Sequence, residues 1–119
     1  MKSDSVEPFA FIAVNDLVAI TRGRSLPKSG LNPTSGVGWV PADLALNAFG
    51  ALADPNPFGA LGDLRLIPDI STKAVFRGKA YGRDVEMYLA DQHTMDGKPW
   101  ECCPRSNLKL AIERLRNDH

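Results

Sequence analysis

The sequence has few of the residues from which metal and redox sites are built. It contains 2 cysteines and 2 histidines in 119 residues. Cys102 and Cys103 are adjacent, whereas metal ligands are usually spaced C-x2-C or wider and redox pairs C-x-x-C. His93 and His119 stand alone. The composition excludes a disulfide framework, and it indicates neither a metal site nor a Ser-His-Asp set.

A charge excess of one sign and long apolar runs are also missing. Lys+Arg and Asp+Glu balance at 14 each, which argues against a dedicated nucleic-acid-binding protein. No apolar run approaches the roughly 20 residues of a membrane span, and the N-terminus is unlike a secretory signal. Apolar residues still make up 44% of the chain, enough for one core. We expect one soluble, cytoplasmic domain that binds no nucleic acid and no membrane.

The order of the local patterns predicts an α+β fold. "FAFIAVND" and "LVAITRGRSLP" predict a β-hairpin. Residues 28–63, rich in Gly, Pro, Ser and Asn, predict a long irregular loop region, in which "VPADLALNAFG" favours a short helix ending at Gly50. "LRLIP" and "TKAVF" predict strands, and "MDGKPWEC" predicts a turn with a short returning strand.

Two further patterns complete the sheet and add a helix. In "DVEMYLAD", Val85, Met87 and Leu89 alternate with the residues between them, which predicts a half-buried strand. Near the C-terminus, one apolar helical stripe is formed by Leu108, Ile112 and Leu115. The sequence therefore predicts a mixed sheet with one helix packed on it.

The cysteine pair lies where this helix begins. Pro104 fits the first helical position, which makes Cys103 the N-cap. Cysteine is a weak cap, so a change to Ser or Asp is predicted to stabilise the domain by up to about 1 kcal/mol. A reactive thiol at the helix N-terminus is the alternative to this structural role.

The Gly-rich stretch "SGVGWV", Ser35 to Val40, leaves two interpretations open. It lacks the GxxxxGK[ST] phosphate loop, so it is either a mobile loop or a place where backbone approaches a ligand or a neighbouring subunit. Trp39 within it is either an anchor for a partner or part of the core. Arg22, Arg24 and Lys28 indicate either a surface for an acidic partner or a charged strand edge. From the residues alone, no complete active site is visible.

Three stretches carry a family pattern in their order and spacing. They are "TRGRSLP" after Asp16, "GDLRLIPDISTKAVF", and "MYLADQHTMDGKPWECCPRSNLKLAIERL". Over roughly residues 9–117 they resemble the N-terminal domain of glutamine synthetases, and most of all that of the glutamine-synthetase-like ligases that act on polyamines (gamma-glutamylpolyamine ligases) and other amines. The sequence departs from the family at Ala19, where Gly is usual, and at Cys103, where Asp or Ser usually caps the helix.

The resemblance implies a β-grasp-like domain over residues 8–119, with the catalytic C-terminal domain absent from this chain. It implies the N-terminal domain of an ATP-dependent ligase that joins glutamate to ammonia or another amine. Such a domain would be inactive alone and would bind no cofactor, because ATP and Mg/Mn belong to the full-length enzyme. Its partners would be the catalytic domain of the same enzyme and the neighbouring subunits of a homo-oligomer. The alternative is a stand-alone, non-catalytic β-grasp module with a binding or regulatory role.

The same resemblance implies a site in the Gly-rich region. Leu31–Trp39 aligns with a loop that, in bacterial glutamine synthetases, supplies an Asp to the neighbouring subunit's ammonium site. By resemblance, Asn32, Ser35 and Trp39 are the substrate-binding residues of this intersubunit loop, and none is catalytic. Asn32 replaces the Asp, and an amide neither supplies negative charge nor accepts a proton from ammonium. The resemblance thus favours an amine bulkier than ammonium.

Overall fold

The computed structural model describes residues 6–59 and 61–118. Within them, a mixed sheet is followed by helix α1 (Pro104–Asn117). The strands are β1 (Phe9–Asn15), β2 (Thr21–Pro27), β3 (Val37–Trp39), β4 (Leu64–Pro68), β5 (Ala74–Ala80) and β6 (Arg83–His93). Their order is β2-β1-β6-β4-β3, and β5 also pairs with β6. Only β1 and β6 run parallel among these pairs. The predicted α+β class, with a β-grasp-like sheet and a C-terminal helix, is confirmed.

The predicted hairpin is β1 and β2, and Asp16 closes its turn. One carboxylate oxygen of Asp16 accepts the backbone N–H groups of Val18 and Ile20, at 3.0 and 2.9 Å. The other oxygen accepts Arg22 Nε at 2.5 Å. Ala19 has φ of 62°, in the left-handed region. Glycine adopts that region without the steric cost of a Cβ, which explains why the family pattern has Gly there.

The region 28–63 is less irregular than the sequence predicts. It contains β3, which pairs with β4. The predicted helix ending at Gly50 is wrong, because a 3-10 helix over Pro41–Ala45 stops earlier. Asn47 explains the stop, since its side-chain oxygen accepts the N–H groups of Phe49 and Ala51 and so favours a turn over a helix. Gly50 lies in that turn with φ of 82°.

The core lies on one face of the sheet. Its buried residues are Ala10, Ile12, Val14, Leu66, Tyr88 and Ala90. The half-buried strand predicted from the alternation in β6 is confirmed. Tyr88 and Ala90 are each 1% exposed, whereas Val85, Met87 and Leu89 are only half-buried on the other face. Tyr88 tolerates burial because its hydroxyl is hydrogen-bonded to Glu86 and Lys28.

Helix α1 begins as predicted, with Cys103 as its N-cap. The Cys103 Sγ accepts the N–H of Ser106 at 3.5 Å and that of Gln92, on β6, at 3.2 Å. Cys103 is 1% exposed, so Asp at this position would bury a carboxylate. The predicted stabilisation by a better cap is consequently limited to Ser.

The first two turns of α1 are tied to the sheet by ion pairs, one of which joins Lys109 to Asp91 on β6 at 2.5 Å. The Arg105 guanidinium contacts Asp69 at 2.7 Å and Asp91 at 2.9 Å. Residues 107–118 are all exposed, and the predicted apolar stripe remains largely uncovered, with Leu108 60% and Leu115 63% exposed. Over the residues the structure describes, no helix is both long and apolar enough to cross a membrane.

Candidate functional site

The loop that leads into β3 is built around Asn32. Its side-chain oxygen accepts the backbone N–H groups of Thr34 at 2.9 Å and Ser35 at 3.1 Å. Its main-chain carbonyl accepts the N–H of Gly36 at 2.8 Å. Asn commonly stabilises turns in this way. The side-chain oxygen of Asn32 is thus engaged within the loop, while the side chains of Asn32, Thr34 and Ser35 are exposed.

Gly36 allows this loop to lie against β4. It has φ of +58°, and a Cβ at this position would lie 1.8 Å from the carbonyl oxygen of Leu66. Any other residue would combine a disfavoured backbone conformation with a collision against backbone. The sequence therefore needs glycine at position 36 for packing, whatever else the loop does.

Two arginines hold the carbonyl groups of the loop. Arg65, on β4, donates Nε to the carbonyl of Ser35 at 2.8 Å and Nη2 to that of Gly36 at 2.9 Å. Arg24, on β2, donates Nη1 to the carbonyl of Gly38 at 3.1 Å. These contacts hold the backbone of the Gly-rich stretch in place, which argues against its interpretation as a mobile loop. Arg65 was missed in the sequence, because its spacing between Leu64 and Leu66 is that of any outward residue on a strand.

Trp39 lies at the end of β3 and packs against the buried core. Of the two roles left open for it, the structure supports the core role. The Trp39 side chain is also part of the wall of a shallow pocket of about 320 Å³ that includes Arg24, Asp43 and Asp63. Burial raises the pKa of the Asp43 carboxyl, and the positive charge of Arg22 opposes this effect.

The basic residues of β2 and of the turn after it are engaged inside the domain. Arg22 pairs with Asp16, and Arg24 holds the loop. Lys28 lies against Glu86 and the Tyr88 hydroxyl, with its Nζ 2.5 Å from that hydroxyl. These contacts account for the three charges, so neither a surface for an acidic partner nor a free charged edge is needed to explain them.

The exposed end of the loop borders a wider groove of about 490 Å³. Its lining includes Thr34, Ser35, Arg65 and His93. The two hydroxyls can each donate and accept hydrogen bonds, and the Asn32 amide nitrogen can only donate. The loop therefore presents neutral polar groups rather than an acid or a base. Of the three predicted site residues, Ser35 lines this groove. Asn32 is exposed in the loop beside it, and Trp39 packs against the core.

Among residues 6–59 and 61–118, no three His, Cys, Asp or Glu side chains converge in a way that could hold a metal ion. Cys102 and Cys103 are both free thiols. Cys103 serves as cap and as hydrogen-bond acceptor for β6, which is the structural role considered in the sequence.

Known proteins resemble this chain over most of its length. Type-1 glutamine synthetase 2 of Dictyostelium discoideum is 33% identical over 119 aligned residues, which cover 92% of this chain and 22% of that protein. The crystal structure of a novel glutamine synthase homolog is 34% identical, with a TM-score of 0.87, covering 99% of this chain and 29% of the other. A cryo-EM structure of Plasmodium falciparum glutamine synthetase shares the fold, with a TM-score of 0.67 at 17% identity, covering 99% of this chain and 21% of that one.

These relatives are much longer than this chain, which spans only about a fifth to a third of their length. The similarity to the crystal structure extends over the loop, the sheet and α1 together, since it covers 99% of this chain. The family model for the glutamine synthetase N-terminal domain matches residues 1–100. This chain belongs to the glutamine synthetase N-terminal domain family.

Proposed function

We propose that this chain is the N-terminal domain of an ATP-dependent carboxylate–amine ligase and that its loop, Asn32 to Trp39, contributes to the active site of a neighbouring subunit. The observation that carries the proposal is the fixed loop in a chain of this family. Asn32 and Arg65 hold the backbone, and the Thr34 and Ser35 hydroxyls remain exposed. A loop fixed in this way can present polar groups to another subunit without the cost of ordering it on contact.

The surface of α1 supports a role within a larger protein. An isolated helix shorter than about 12–15 residues is only marginally stable in water. Helix α1 has 14 residues, and all of those from position 107 to its end at Asn117 are exposed. Its uncovered stripe, Leu108 to Leu115, fits a helix that packs against a further protein surface. We assign that surface to the catalytic domain or to a neighbouring subunit of a homo-oligomer.

The chemistry of Asn32 favours an amine larger than ammonium, such as a polyamine. Its side-chain oxygen already accepts two N–H groups of the loop. The remaining amide nitrogen is a donor only and cannot accept a hydrogen bond from an ammonium ion. By the family resemblance, ATP and Mg/Mn would bind to the remainder of the enzyme. The purified chain is therefore expected to turn over no ATP.

The size of the native gene product tests whether a catalytic domain follows. We expect a reading frame that continues past the His119 codon and a cellular product several times heavier than 12.9 kDa. A stop codon directly after His119, with a product of 12.9 kDa, would contradict the proposal. It would instead indicate a stand-alone β-grasp module that acts by binding another protein.

An Asn32→Asp variant of the full gene product tests the role of the loop. The Asp oxygen can accept the same two N–H groups, and it adds the negative charge that Asn lacks. We expect kcat/KM for ammonium to rise by about tenfold, the equivalent of about 1.4 kcal/mol. Asn117→Asp, on α1, adds the same charge elsewhere and should leave kcat/KM for ammonium unchanged. An equal response of both variants would exclude a direct role for Asn32.

A further inference from the structure

Arg65 occupies an unusual position on β4. The strand alternates buried and partly exposed residues, and both neighbours, Leu64 and Leu66, are buried at 3% and 0% exposure. Arg65 therefore starts on the face away from the core. Its guanidinium contacts the loop that precedes β3, the strand that pairs with β4.

The contacts of Arg65 fix the direction of two peptide groups. Nε and Nη2 each donate to one carbonyl, that of Ser35 at 2.8 Å and that of Gly36 at 2.9 Å. The planar guanidinium holds its donors at fixed relative angles, so two such bonds restrain rotation as well as position. A lysine ammonium is a single point with rotatable donors and cannot impose the same restraint.

Arg65 and Asn32 hold opposite groups of the same backbone. Asn32 accepts the N–H groups of Thr34 and Ser35, while Arg65 binds the carbonyls of Ser35 and Gly36. With donors and acceptors of this backbone held, the Cα–Cβ bonds from which the exposed Thr34 and Ser35 side chains extend are held in direction. Removal of Arg65 leaves two carbonyls free to turn to water, although Gly36 still lies against β4.

We propose that Arg65 is a positioning residue, which sets the orientation of Thr34 and Ser35 toward the amine site of a neighbouring subunit. This inference rests on the proposed function of the loop. Arg65 acts through backbone groups, and it needs no contact with the substrate. The family resemblance pointed to Asn32, Ser35 and Trp39, whereas the contacts in the structure add Arg65.

Loop order in the 119-residue chain tests the first half of this inference. The measurement is the backbone ¹⁵N order parameter of Thr34, Ser35 and Gly36 by NMR relaxation. In the wild type we expect values of about 0.85, typical of rigid backbone, and in Arg65→Ala values below about 0.6. Arg65→Lys should be intermediate, and millimolar methylguanidinium should restore order in Arg65→Ala. Unchanged order parameters in Arg65→Ala would overturn the inference.

Arg77→Ala provides the matched control. Arg77 lies on β5, is exposed, and pairs with Asp84 rather than with the loop. The Arg77→Ala substitution removes one arginine and one ion pair, as Arg65→Ala removes one arginine, but it removes no contact with the loop. It should therefore leave the order parameters of the loop unchanged. A similar loss of loop order in Arg77→Ala and Arg65→Ala would assign the effect to general destabilisation and would overturn the specific role of Arg65.

Steady-state kinetics of the full gene product test the second half. Arg65→Ala should raise KM for the amine by at least about fivefold, with KM for ATP unchanged, and Arg65→Lys should raise it less. A loosened loop with an unchanged amine KM would overturn the link to the neighbouring site, and with it the proposed function of the loop. An unchanged loop order in Arg65→Ala would overturn only the role of Arg65. The proposed function of the loop is tested separately, by the kinetics of the Asn32→Asp variant.

Discussion

Replacement of Glu86 by Gln would measure how much one ion cluster stabilises the domain. Glu86 lies on β6, and its carboxylate contacts Lys28, Lys73 and the Tyr88 hydroxyl. The Tyr88 hydroxyl donates to it at 2.6 Å and Lys73 Nζ lies at 2.9 Å. These groups join β6 to the residues that follow β2 and to those that precede β5, so the cluster connects separate parts of the chain.

The magnitude follows from the pKa of the carboxyl group. The hydrogen bonds from Lys28 and Tyr88 lower the pKa of Glu86 from 4.5 to about 2, against the opposing effect of burial. A pKa difference of one corresponds to about 1.4 kcal/mol, so the ionised form contributes about 3 kcal/mol to the free energy of unfolding. The side chain is 14% exposed, and partial screening by solvent reduces the expected loss in Glu86→Gln to about 2–3 kcal/mol.

The pH dependence has a definite sign. Because the folded pKa lies below the unfolded one, the contribution is complete above the unfolded value of 4.5 and disappears as the pH falls through about 2. Near pH 3 it should be about half of its value at neutral pH. Asp69, whose pKa is also lowered to about 2 by hydrogen bonds from Ser71 and Arg105, titrates in both proteins. Its effect therefore cancels in the difference between wild type and variant.

Urea unfolding, followed by circular dichroism, gives the required comparison at about pH 7 and about pH 3. Glu113→Gln is the control, because Glu113 is exposed on α1 and its replacement should change the free energy of unfolding by less than about 0.5 kcal/mol. A difference between wild type and Glu86→Gln that is the same at both pH values would refute the reasoning. It would mean that the variant acts through packing rather than through the charge of the carboxylate.

Three smaller changes test local conformation. Ala19→Gly should raise the free energy of unfolding by about 0.5–1 kcal/mol, because glycine removes the cost of a left-handed φ at 62°. Urea unfolding would detect this increase, and a destabilised variant would contradict the prediction. Gly36→Ala should lower the same quantity by about 2–4 kcal/mol, owing to the collision with the Leu66 carbonyl, and a stability equal to wild type would show that the loop can move away from β4. Cys103→Ser should raise the free energy of unfolding by up to about 1 kcal/mol and thereby raise the thermal midpoint slightly. A lower midpoint would show that the Sγ contact with Gln92 outweighs the better cap.

The candidate site could be predicted only in part. The Gly-rich composition and the family resemblance located the loop and its residues Asn32 and Ser35, because both signals are local in the sequence. They did not reveal that Asn32 uses its side-chain oxygen within the loop. They also gave no sign of Arg65, since its contacts join residues about thirty positions apart, and spacing on a single strand contains no information about such a contact.

The sequence by itself determined the elements whose causes are local. Alternation of apolar residues marked β4 and β6, and Pro104 after Cys103 marked the start of α1, because strand period and helix capping depend on neighbours within a few positions. Only the tertiary structure decided which face of β6 is buried. Tyr88 is buried because Glu86 and Lys28 satisfy its hydroxyl, and that depends on a lysine about sixty residues away. The apolar stripe of α1 predicted a helix, because helical spacing is a local property. Only the tertiary structure showed that the apolar side chains of this stripe are largely uncovered by the sheet.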